Sequence, residues 1–296
     1  MPTPTTAAFL QPSTPLPGDM REEAVSFRVE DEVVKGNLIR APAATSRGVL
    51  FLHGWGGIRG GPHNLLGSMA RALAAGGVPS LRFDFRGRGE SSGDGFAISL
   101  ASMAMDALAA ATVLKQRAAV DKMILVGICS GGNVAIGILD RLRDVDGLFL
   151  MSVYPFSDGD SFTRDARRTA FYLREYWGKL WRRDTWRRVF RGEIFYRQIM
   201  KVLFGHYRKQ SDAVSADAGP PASALDNLCL APLRVTMIYG DADPDFRASF
   251  SYFSEFSGAH ELNIRFLTIS GANHNYYSLA WKKQLTDELI TFVEAR

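Results

Sequence analysis

Residues 127–132 read Gly-Ile-Cys-Ser-Gly-Gly, and this stretch decides the fold of the chain. It follows an apolar run with strand chemistry at residues 122–126 and precedes a segment with helical spacing. A strand, a glycine-flanked turn and a helix are the context in which the motif G-x-S-x-G presents a nucleophile at a strained backbone position. Cys129 occupies the central place of that frame, and Ser130 comes one place later. The stretch therefore has three interpretations: a cysteine nucleophile at a strand-to-helix turn, a tolerated variant of the serine motif, or a coincidence.

Strands alternate with helices on both sides of this turn. Apolar runs bounded by turn residues predict strands at 26–29, 33–39, 49–52, 80–85, 122–126, 147–153, 233–239 and 264–269. Apolar spacing of three and four residues predicts helices at 65–75, 99–117, 133–143, 246–256 and 277–294. This alternation predicts an α/β fold, with a mostly parallel central sheet and helices on both faces.

The alternation is interrupted at Pro155, and no strand is predicted from there to about residue 225. We expect residues 21–154 and 226–296 to form the core, and residues 155–225 to form an inserted helical cap. Residues 1–20 are rich in Pro and Thr and are expected to be a disordered arm.

The composition is that of an ordinary globular protein, with 46% hydrophobic and 22% charged residues. No run reaches the roughly 18 apolar residues that a membrane span needs, and the N-terminus lacks the basic and apolar blocks of a secretory signal. Two cysteines provide no disulfide framework. We therefore expect a cytoplasmic protein without a transmembrane segment.

The predicted cap is basic and aromatic. Residues 164–209 contain 14 Lys and Arg against 4 Asp and Glu, although the whole chain carries a net charge of only +4. Trp177 and Trp181 belong to an amphipathic pattern, and we expect them to contact substrate. The simplest interpretation is a lid whose arginines are solvated. The alternatives are steering of an anionic substrate or an acidic acyl-carrier protein, and peripheral contact with anionic lipid; nucleic acid is not expected.

Four further motifs accompany the central turn, in this order along the chain: His53-Gly54-Trp55-Gly56-Gly57, the D-x-R-G-x-G-x-S loop at 84–91, Gly240-Asp241-Ala242-Asp243, and Gly271-Ala272-Asn273-His274. Together the five motifs resemble the α/β-hydrolase family, in its serine-aminopeptidase-like and lysophospholipase-like branch with a helical cap. The resemblance covers about residues 25–295 apart from the cap. It implies the α/β-hydrolase fold and a catalytic triad.

The resemblance also implies a role for individual residues. Cys129 would be the nucleophile, His274 its general base, and Asp243 the acid that orients the imidazole. Asp241 lies on the same loop and is the alternative acid, with Asp243 preferred from the family's register. The backbone N–H groups of Ser130 and Trp55 would form the oxyanion hole.

The remaining expected site residues surround the turn that follows the strand at 49–52. His53, Gly54 and His63 complete the expected substrate-binding set, together with the two cap tryptophans. His53 is expected to be a hydrogen-bonding support beneath the turn and not a base. Neither a metal nor a cofactor is expected.

A cysteine nucleophile changes the chemistry that we expect. A thiolate forms readily beside an imidazole at a helix N-terminus, and its acyl-enzyme is a thioester, which amines and thiols attack readily relative to water. Dienelactone hydrolases, from another branch of the same fold, also carry cysteine in this frame. We expect an acyl hydrolase of the esterase or thioesterase type, acting on a small-molecule acyl ester or thioester. The alternatives are an acyltransferase to an amine or alcohol, and a non-catalytic ligand-binding protein on this fold.

Overall fold

The computed structural model describes residues 13–16, 20–40, 45–155, 224–230 and 232–295. Almost all of the predicted cap at 155–225, including Trp177 and Trp181, lies outside the described residues. Its helical character and its role in substrate binding therefore stay predictions.

The described residues contain a nine-stranded sheet with the order β1-β2-β3-β5-β4-β6-β7-β8-β9. In chain order, the strands are β1 (Ser13–Pro15), β2 (Arg21–Val29), β3 (Glu32–Arg40), β4 (Arg47–Leu52), β5 (Ser80–Phe83), β6 (Lys122–Ile128), β7 (Val145–Met151), β8 (Arg234–Gly240) and β9 (Ile264–Ile269). The strands from β5 to β9 along this order pair in parallel, and β1, β2 and β3 form an antiparallel edge. The predicted mostly parallel sheet is confirmed.

Helices cover both faces of the sheet, as predicted. They are α1 (Leu65–Ala75), α2 (Leu100–Ala118), α3 (Ser130–Gly137), α4 (Phe246–Ala259) and α5 (Leu279–Glu294). Helix α1 packs against α5, and α2 packs against α3. The central strands β4 and β6 are buried almost throughout, whereas β2 alternates between buried and more exposed positions. This difference is expected because central strands are covered on both faces and edge strands are not.

Two sequence-based predictions need correction. Helix α3 ends at Gly137, well before residue 143, and a 3-10 turn at Leu139–Arg141 follows it. Three of its eight residues are glycines, which are poor helix formers, so the segment supports only a short helix. The N-terminal arm is also not wholly disordered, because β1 pairs antiparallel with residues 21–23 at the start of β2.

The parallel strands direct their carboxyl ends to the same edge of the sheet. The loops that follow β4, β6, β7, β8 and β9 begin at His53, Cys129, Ser152, Asp241 and Ser270 respectively. Ligands of open parallel sheets bind at this edge. The loop at 84–91 follows the carboxyl end of β5, which is also parallel to β4. The topology therefore brings all five sequence motifs to the same edge of the sheet.

Candidate active site

Cys129 occupies a strained turn between β6 and α3. Its backbone has φ 57° and ψ −128°, a conformation that side chains other than glycine rarely adopt. Its N–H donates to the carbonyl of Met151 at 2.9 Å, which ties the turn to β7. A Cβ at Gly131 would overlap the carbonyl oxygen of Leu52, and one at Gly127 would lie 2.5 Å from the Cα of Gly132. The bracketing glycines are therefore required by close backbone approach, as in a nucleophile elbow.

The side chains of Cys129, His274 and Asp243 form a hydrogen-bonded array. The imidazole Nδ1 of His274 lies 2.7 Å from Oδ2 of Asp243. The same imidazole is hydrogen-bonded to the Cys129 side chain. Cys129 is 8% exposed and Asp243 is 6% exposed, so the array lies largely out of water. A nucleophile, a base within hydrogen-bond reach and an orienting acid have the arrangement of a catalytic triad.

The electrostatics of this array favour its charged forms. Burial would lower the pKa of His274, but its hydrogen bonds to Asp243 and Cys129 outweigh burial and raise it to about 10. Burial would likewise raise the pKa of the Asp243 carboxyl, but donors led by His274 outweigh burial and lower it. An imidazolium held against a thiol favours the thiolate, which is the nucleophilic form of cysteine.

The segment at 240–243 at the end of β8 is here called the acid loop, and its two aspartates have different surroundings. Asp243 is buried against His274, whereas Asp241 is exposed. The Oδ1 of Asp241 accepts a hydrogen bond of 2.6 Å from the backbone N–H of Gly271. Asp243 therefore meets the imidazole, whereas Asp241 connects the acid loop with the segment at 271–274, here called the histidine loop.

The turn that follows β4 lies directly beside the cysteine. A Cβ at Gly54 would be 3.1 Å from Cβ and 3.5 Å from Sγ of Cys129. The Gly54 carbonyl accepts hydrogen bonds from Gly57 N–H at 2.9 Å and from His53 Nδ1 at 2.8 Å. Because the C=O and N–H of a trans peptide point in opposite directions, these bonds also fix the direction of the Trp55 N–H. Gly54 therefore lies beside Cys129 in the candidate active site. The peptide between Gly54 and Trp55, whose N–H is one of the two expected oxyanion donors, is held rigidly.

The second expected oxyanion donor is at the start of α3. Ser130 is the first residue of this helix, where backbone N–H groups have no intrahelical partner. The helix dipole places partial positive charge at the same end. The N–H of Ser130 is therefore suited to stabilise negative charge beside Cys129.

His53 supports the turn from beneath. Its ring is 1% exposed, and Nε2 accepts a hydrogen bond of 3.2 Å from the N–H of Phe85. Burial, only partly opposed by the hydrogen bond to Gly54, lowers the pKa of His53 to about 4. The ring is therefore neutral at ordinary pH, with its proton on Nδ1. Both nitrogens are engaged with backbone groups, so His53 has the expected supporting position and does not present its ring to a substrate.

His63 lies near the histidine loop. Its side chain is exposed, and its ring meets Tyr277 edge-on at a centroid distance of 6.4 Å. Tyr277 follows His274 by three residues and packs edge-on against Trp281 in α5. His63 therefore faces the side of the site formed by the histidine loop and the start of α5.

The loop at 84–91 has a structural function. Asp84 is completely buried, and its carboxylate accepts hydrogen bonds from the N–H groups of Arg59 at 2.6 Å and Glu90 at 3.1 Å. Arg88 donates to the carbonyls of Trp55 at 2.7 Å and Gly95 at 3.0 Å. These bonds connect the loop to the turn beside Cys129.

Sequence analysis did not identify Ser152 and Tyr276, which adjoin the array. Ser152 is 2% exposed, Tyr276 is completely buried, and their oxygens lie 2.8 Å apart. The Tyr276 hydroxyl donates a hydrogen bond of 3.2 Å to the carbonyl of Ile238, and Ser152 is among the groups that lower the pKa of the Asp243 carboxyl. In the sequence, these residues are only a serine after an apolar strand and a tyrosine two residues after His274. Neither pattern indicates which side chain the hydroxyl group contacts.

An α/β sheet whose strand-to-helix turn carries a cysteine beside a histidine–aspartate pair is the architecture of a hydrolase enzyme. The chain belongs to the alpha/beta hydrolase family, which matches residues 49–284. No curated protein matches the chain.

Solved structures of low sequence identity share this fold. An esterase of Pyrococcus furiosus, Pf2001, has a TM-score of 0.66 at 16% identity, over 92% of this chain and 90% of that one. A dienelactone hydrolase of Anabaena variabilis has a TM-score of 0.58 at 16% identity, over 92% and 96%. An alpha-beta serine hydrolase homologue of Coxiella burnetii has a TM-score of 0.58 at 15% identity, over 92% and 97%.

In the described part of the chain, no helix is long and apolar enough to cross a membrane. Within the same residues, no group of three or more His, Cys, Asp or Glu side chains is arranged to hold a metal ion.

Proposed function

We propose that this protein is an acyl hydrolase of the esterase or thioesterase type, with Cys129 as the nucleophile. The observation that carries the proposal is the array in which His274 bonds to both Cys129 and Asp243 beneath the strained turn. Asp243 orients the imidazole, and Asp241 has no part in the chemistry. We also propose that the chain belongs to the branch of the family with a helical cap; the cap itself lies outside the described residues.

The first half-reaction forms an acyl-cysteine. The Cys129 thiolate attacks the carbonyl carbon of the substrate, and the π electrons of the carbonyl move to its oxygen. The N–H groups of Trp55 and Ser130 stabilise the resulting oxyanion. As the tetrahedral intermediate collapses, the bond to the leaving group breaks and the His274 imidazolium protonates that group.

The second half-reaction releases the acid. The neutral imidazole of His274 takes a proton from water, and the hydroxide oxygen attacks the thioester carbon. Collapse of this intermediate breaks the C–S bond, releases the carboxylic acid and restores the thiolate–imidazolium pair. Asp243 stays ionised and holds the imidazole by its Nδ1–H throughout.

Esters and thioesters are the substrate class that this chemistry favours. The Pyrococcus furiosus protein is named an esterase and the Anabaena variabilis protein a dienelactone hydrolase, which is consistent with carboxylic ester bonds as substrates. The hypotheses of an acyl-carrier partner and of peripheral lipid contact depend on residues 155–225. They can be separated by comparing carrier-protein pulldown with liposome flotation across a salt series.

The direct test is trapping of the acyl-enzyme. The protein is mixed with a p-nitrophenyl ester and quenched, and the mass added to the peptide containing Cys129 is measured. We expect one acyl group on Cys129, and none in Cys129→Ala. Cys229→Ser is the matched control, because Cys229 is exposed and is not part of the array. A correctly folded protein that hydrolyses the ester without an adduct on Cys129 would contradict the proposal.

The cysteine also supports a second candidate function. A thioester intermediate transfers its acyl group to amines more readily, relative to water, than an oxygen ester does. Addition of a primary amine or an alcohol during turnover tests acyl transfer. A new amide or ester product formed at the expense of the acid would favour an acyltransferase. Tight ligand binding without turnover would favour a non-catalytic binding protein.

A further inference from the structure

We infer that Arg88 is a positioning residue that keeps the carbonyl of Trp55 turned away from the oxyanion hole. Its side chain stabilises one of two conformations open to the β-turn at 54–57, the turn that carries the Trp55 N–H. The inference rests on the proposed function, because it assigns Arg88 to the oxyanion hole of that reaction. Arg88 would not touch the substrate.

The guanidinium of Arg88 joins this turn to the loop at 84–91. Its Nε donates to the carbonyl of Trp55 at 2.7 Å, and its Nη1 donates to the carbonyl of Gly95 at 3.0 Å. The backbone N–H of Arg88 donates to the carbonyl of Phe85 at 2.9 Å. Both ends of the residue are therefore fixed.

Arg88 differs from the other arginine of this region in its partners. Arg59 pairs with the carboxylates of Asp84 and Glu90. Within the described part of the chain, the hydrogen bonds of the Arg88 guanidinium go to backbone carbonyls and not to a carboxylate. Substitution of Arg88 therefore leaves no buried acid unpaired, which makes it a clean probe of the turn.

The turn at 54–57 has two available conformations. The Gly57 N–H donates to the Gly54 carbonyl at 2.9 Å, which makes Trp55 and Gly56 the central residues of a β-turn. A type II turn needs a positive φ at its third residue, and the φ of Gly56 is not positive, so the turn is of type I. Glycine also accepts the type II value, and a Cβ at Gly56 would meet no atom within 4 Å. Residue 56 does not by itself select between the two turns.

The two turns differ in the direction of the Trp55 carbonyl. In a type I turn the second residue has helical backbone angles, so its carbonyl points away from its own N–H, as in a helix. In a type II turn its ψ differs by about 150°, which swings the carbonyl oxygen toward the side of the N–H. That oxygen carries partial negative charge and would oppose an oxyanion bound by the Trp55 N–H. The bond from Arg88 stabilises the observed orientation.

The test compares Arg88→Met with Arg88→Gln. The amide nitrogen of glutamine stands at the same place along the side chain as Nε of arginine, so Arg88→Gln can still donate to the Trp55 carbonyl. Arg88→Met has a similar length and no donor. Arg117→Met is the matched control for loss of an arginine charge, because Arg117 is exposed in the last turn of α2. Thermal unfolding of each variant identifies general loss of structure.

The decisive measurement is the nuclear Overhauser effect between Hα of Trp55 and the amide proton of Gly56, assigned by its loss in Gly56→Ala. These protons are closer in a type II turn than in a type I turn, because of the change in ψ. We expect a weak signal in wild type, Arg88→Gln and Arg117→Met. The signal should be at least about twofold stronger in Arg88→Met, since loss of one hydrogen bond shifts such an equilibrium about tenfold.

Kinetics with a p-nitrophenyl ester give a second readout. Arg88→Met should lower kcat about tenfold with KM little changed, and Arg88→Gln should recover most of this loss. Alanine disfavours a positive φ, so Gly56→Ala added to Arg88→Met should also recover part of kcat by excluding the type II turn. Gly56→Ala alone completes the cycle. Alkylation of Cys129 by iodoacetamide forms no oxyanion, so its rate should be unchanged in Arg88→Met.

An unchanged Overhauser signal in Arg88→Met would overturn the inference, as would equal kcat losses in Arg88→Met and Arg117→Met. Failure of both Arg88→Gln and Gly56→Ala to recover activity would also contradict it, and so would an alkylation rate that falls as far as kcat. If Arg88→Met does not fold, Arg88→Ala takes its place, and a strong signal in the wild-type protein would by itself overturn the inference.

The Overhauser measurement needs no substrate, so it gives an answer even if Cys129 forms no acyl-enzyme. Failure of the inference and failure of the proposed function are therefore distinguishable.

Discussion

Nδ1 of His274 lies 2.7 Å from Oδ2 of Asp243. Asp241, two residues earlier on the same loop, instead accepts from the backbone N–H of Gly271 at 2.6 Å. The two carboxylates are close in sequence and have identical chemistry, but only one can orient the imidazole. Because the two carboxylates have different hydrogen-bond partners, substituting each in turn tests which of them is the acid of the triad.

Asp243→Asn should reduce kcat/KM by at least about a hundredfold, because an amide cannot stabilise the imidazolium and favours the wrong imidazole tautomer. Asp241→Asn is the matched control and should stay within a few-fold of wild type. Steady-state kinetics with a p-nitrophenyl ester would measure both. If Asp241→Asn causes the larger loss, the proposed triad is wrong.

Alkylation of Cys129 by iodoacetamide should depend on His274. At neutral pH, His274→Gln should slow the reaction at least about tenfold, because the imidazolium no longer stabilises the thiolate. The experiment uses a Cys229→Ser background and follows the Cys129 peptide by mass spectrometry. Equal rates with and without His274 would show that the imidazole does not activate the thiol.

The His274–Asp243 pair should make stability depend on pH. The pKa of His274 is raised from 6.5 to about 10, so its stabilisation is complete below about pH 6.5 and is lost as pH rises through about 10. The pKa of Asp243 is lowered from 3.8, so its contribution is present above about pH 4 and is lost as pH falls further. The difference in unfolding free energy between wild type and Asp243→Asn should therefore be largest between about pH 4 and 6.5.

Urea unfolding across this pH range would measure that difference. Asp241→Asn again serves as the control, and its difference from wild type should vary little between pH 6.5 and 10. A difference for Asp243→Asn that stays constant up to pH 10 would contradict the charged pair.

His53 should affect the rate through the turn that it supports. His53→Ala removes one of the two hydrogen bonds that hold the carbonyl of Gly54 and so loosens the N–H of Trp55. We expect kcat to fall by up to about a hundredfold, the effect of losing one oxyanion donor. His260→Ala is the control, because His260 is exposed at the end of α4. A loss confined to thermal stability, with kcat retained, would argue against this role.

Two glycines of α3 should respond in opposite ways to alanine. A Cβ at Gly137 meets no atom within 4 Å, so Gly137→Ala should stabilise the fold by about 0.5–1 kcal/mol through improved helix propensity. A Cβ at Gly131 would overlap the carbonyl of Leu52, so Gly131→Ala should destabilise the protein or prevent folding. Chemical unfolding of both variants measures this contrast. Equal tolerance at the two positions would contradict the close packing of the turn.

Local sequence patterns predicted much of the fold, because strand and helix periodicity depends on neighbouring residues. Most element boundaries moved by only a few residues, and α1 and β9 have the bounds that their apolar spacing predicted. The end of α3 and the pairing of β1 were missed. Both depend on weak local preferences, namely glycines inside a short helix and a three-residue strand that pairs with β2.

The sequence by itself determined the frame around Cys129 and the candidate His274, since tight turns require glycine at particular places and the motifs occur in order along the chain. Only the tertiary structure decided which aspartate meets the imidazole, because the positions of Asp243 and Asp241 depend on how the loops after β8 and β9 pack together. The same holds for Ser152 and Tyr276, which are 124 residues apart and meet through β7 and β8. Buried hydrogen bonds of this kind join distant segments, and no local pattern in the chain records them.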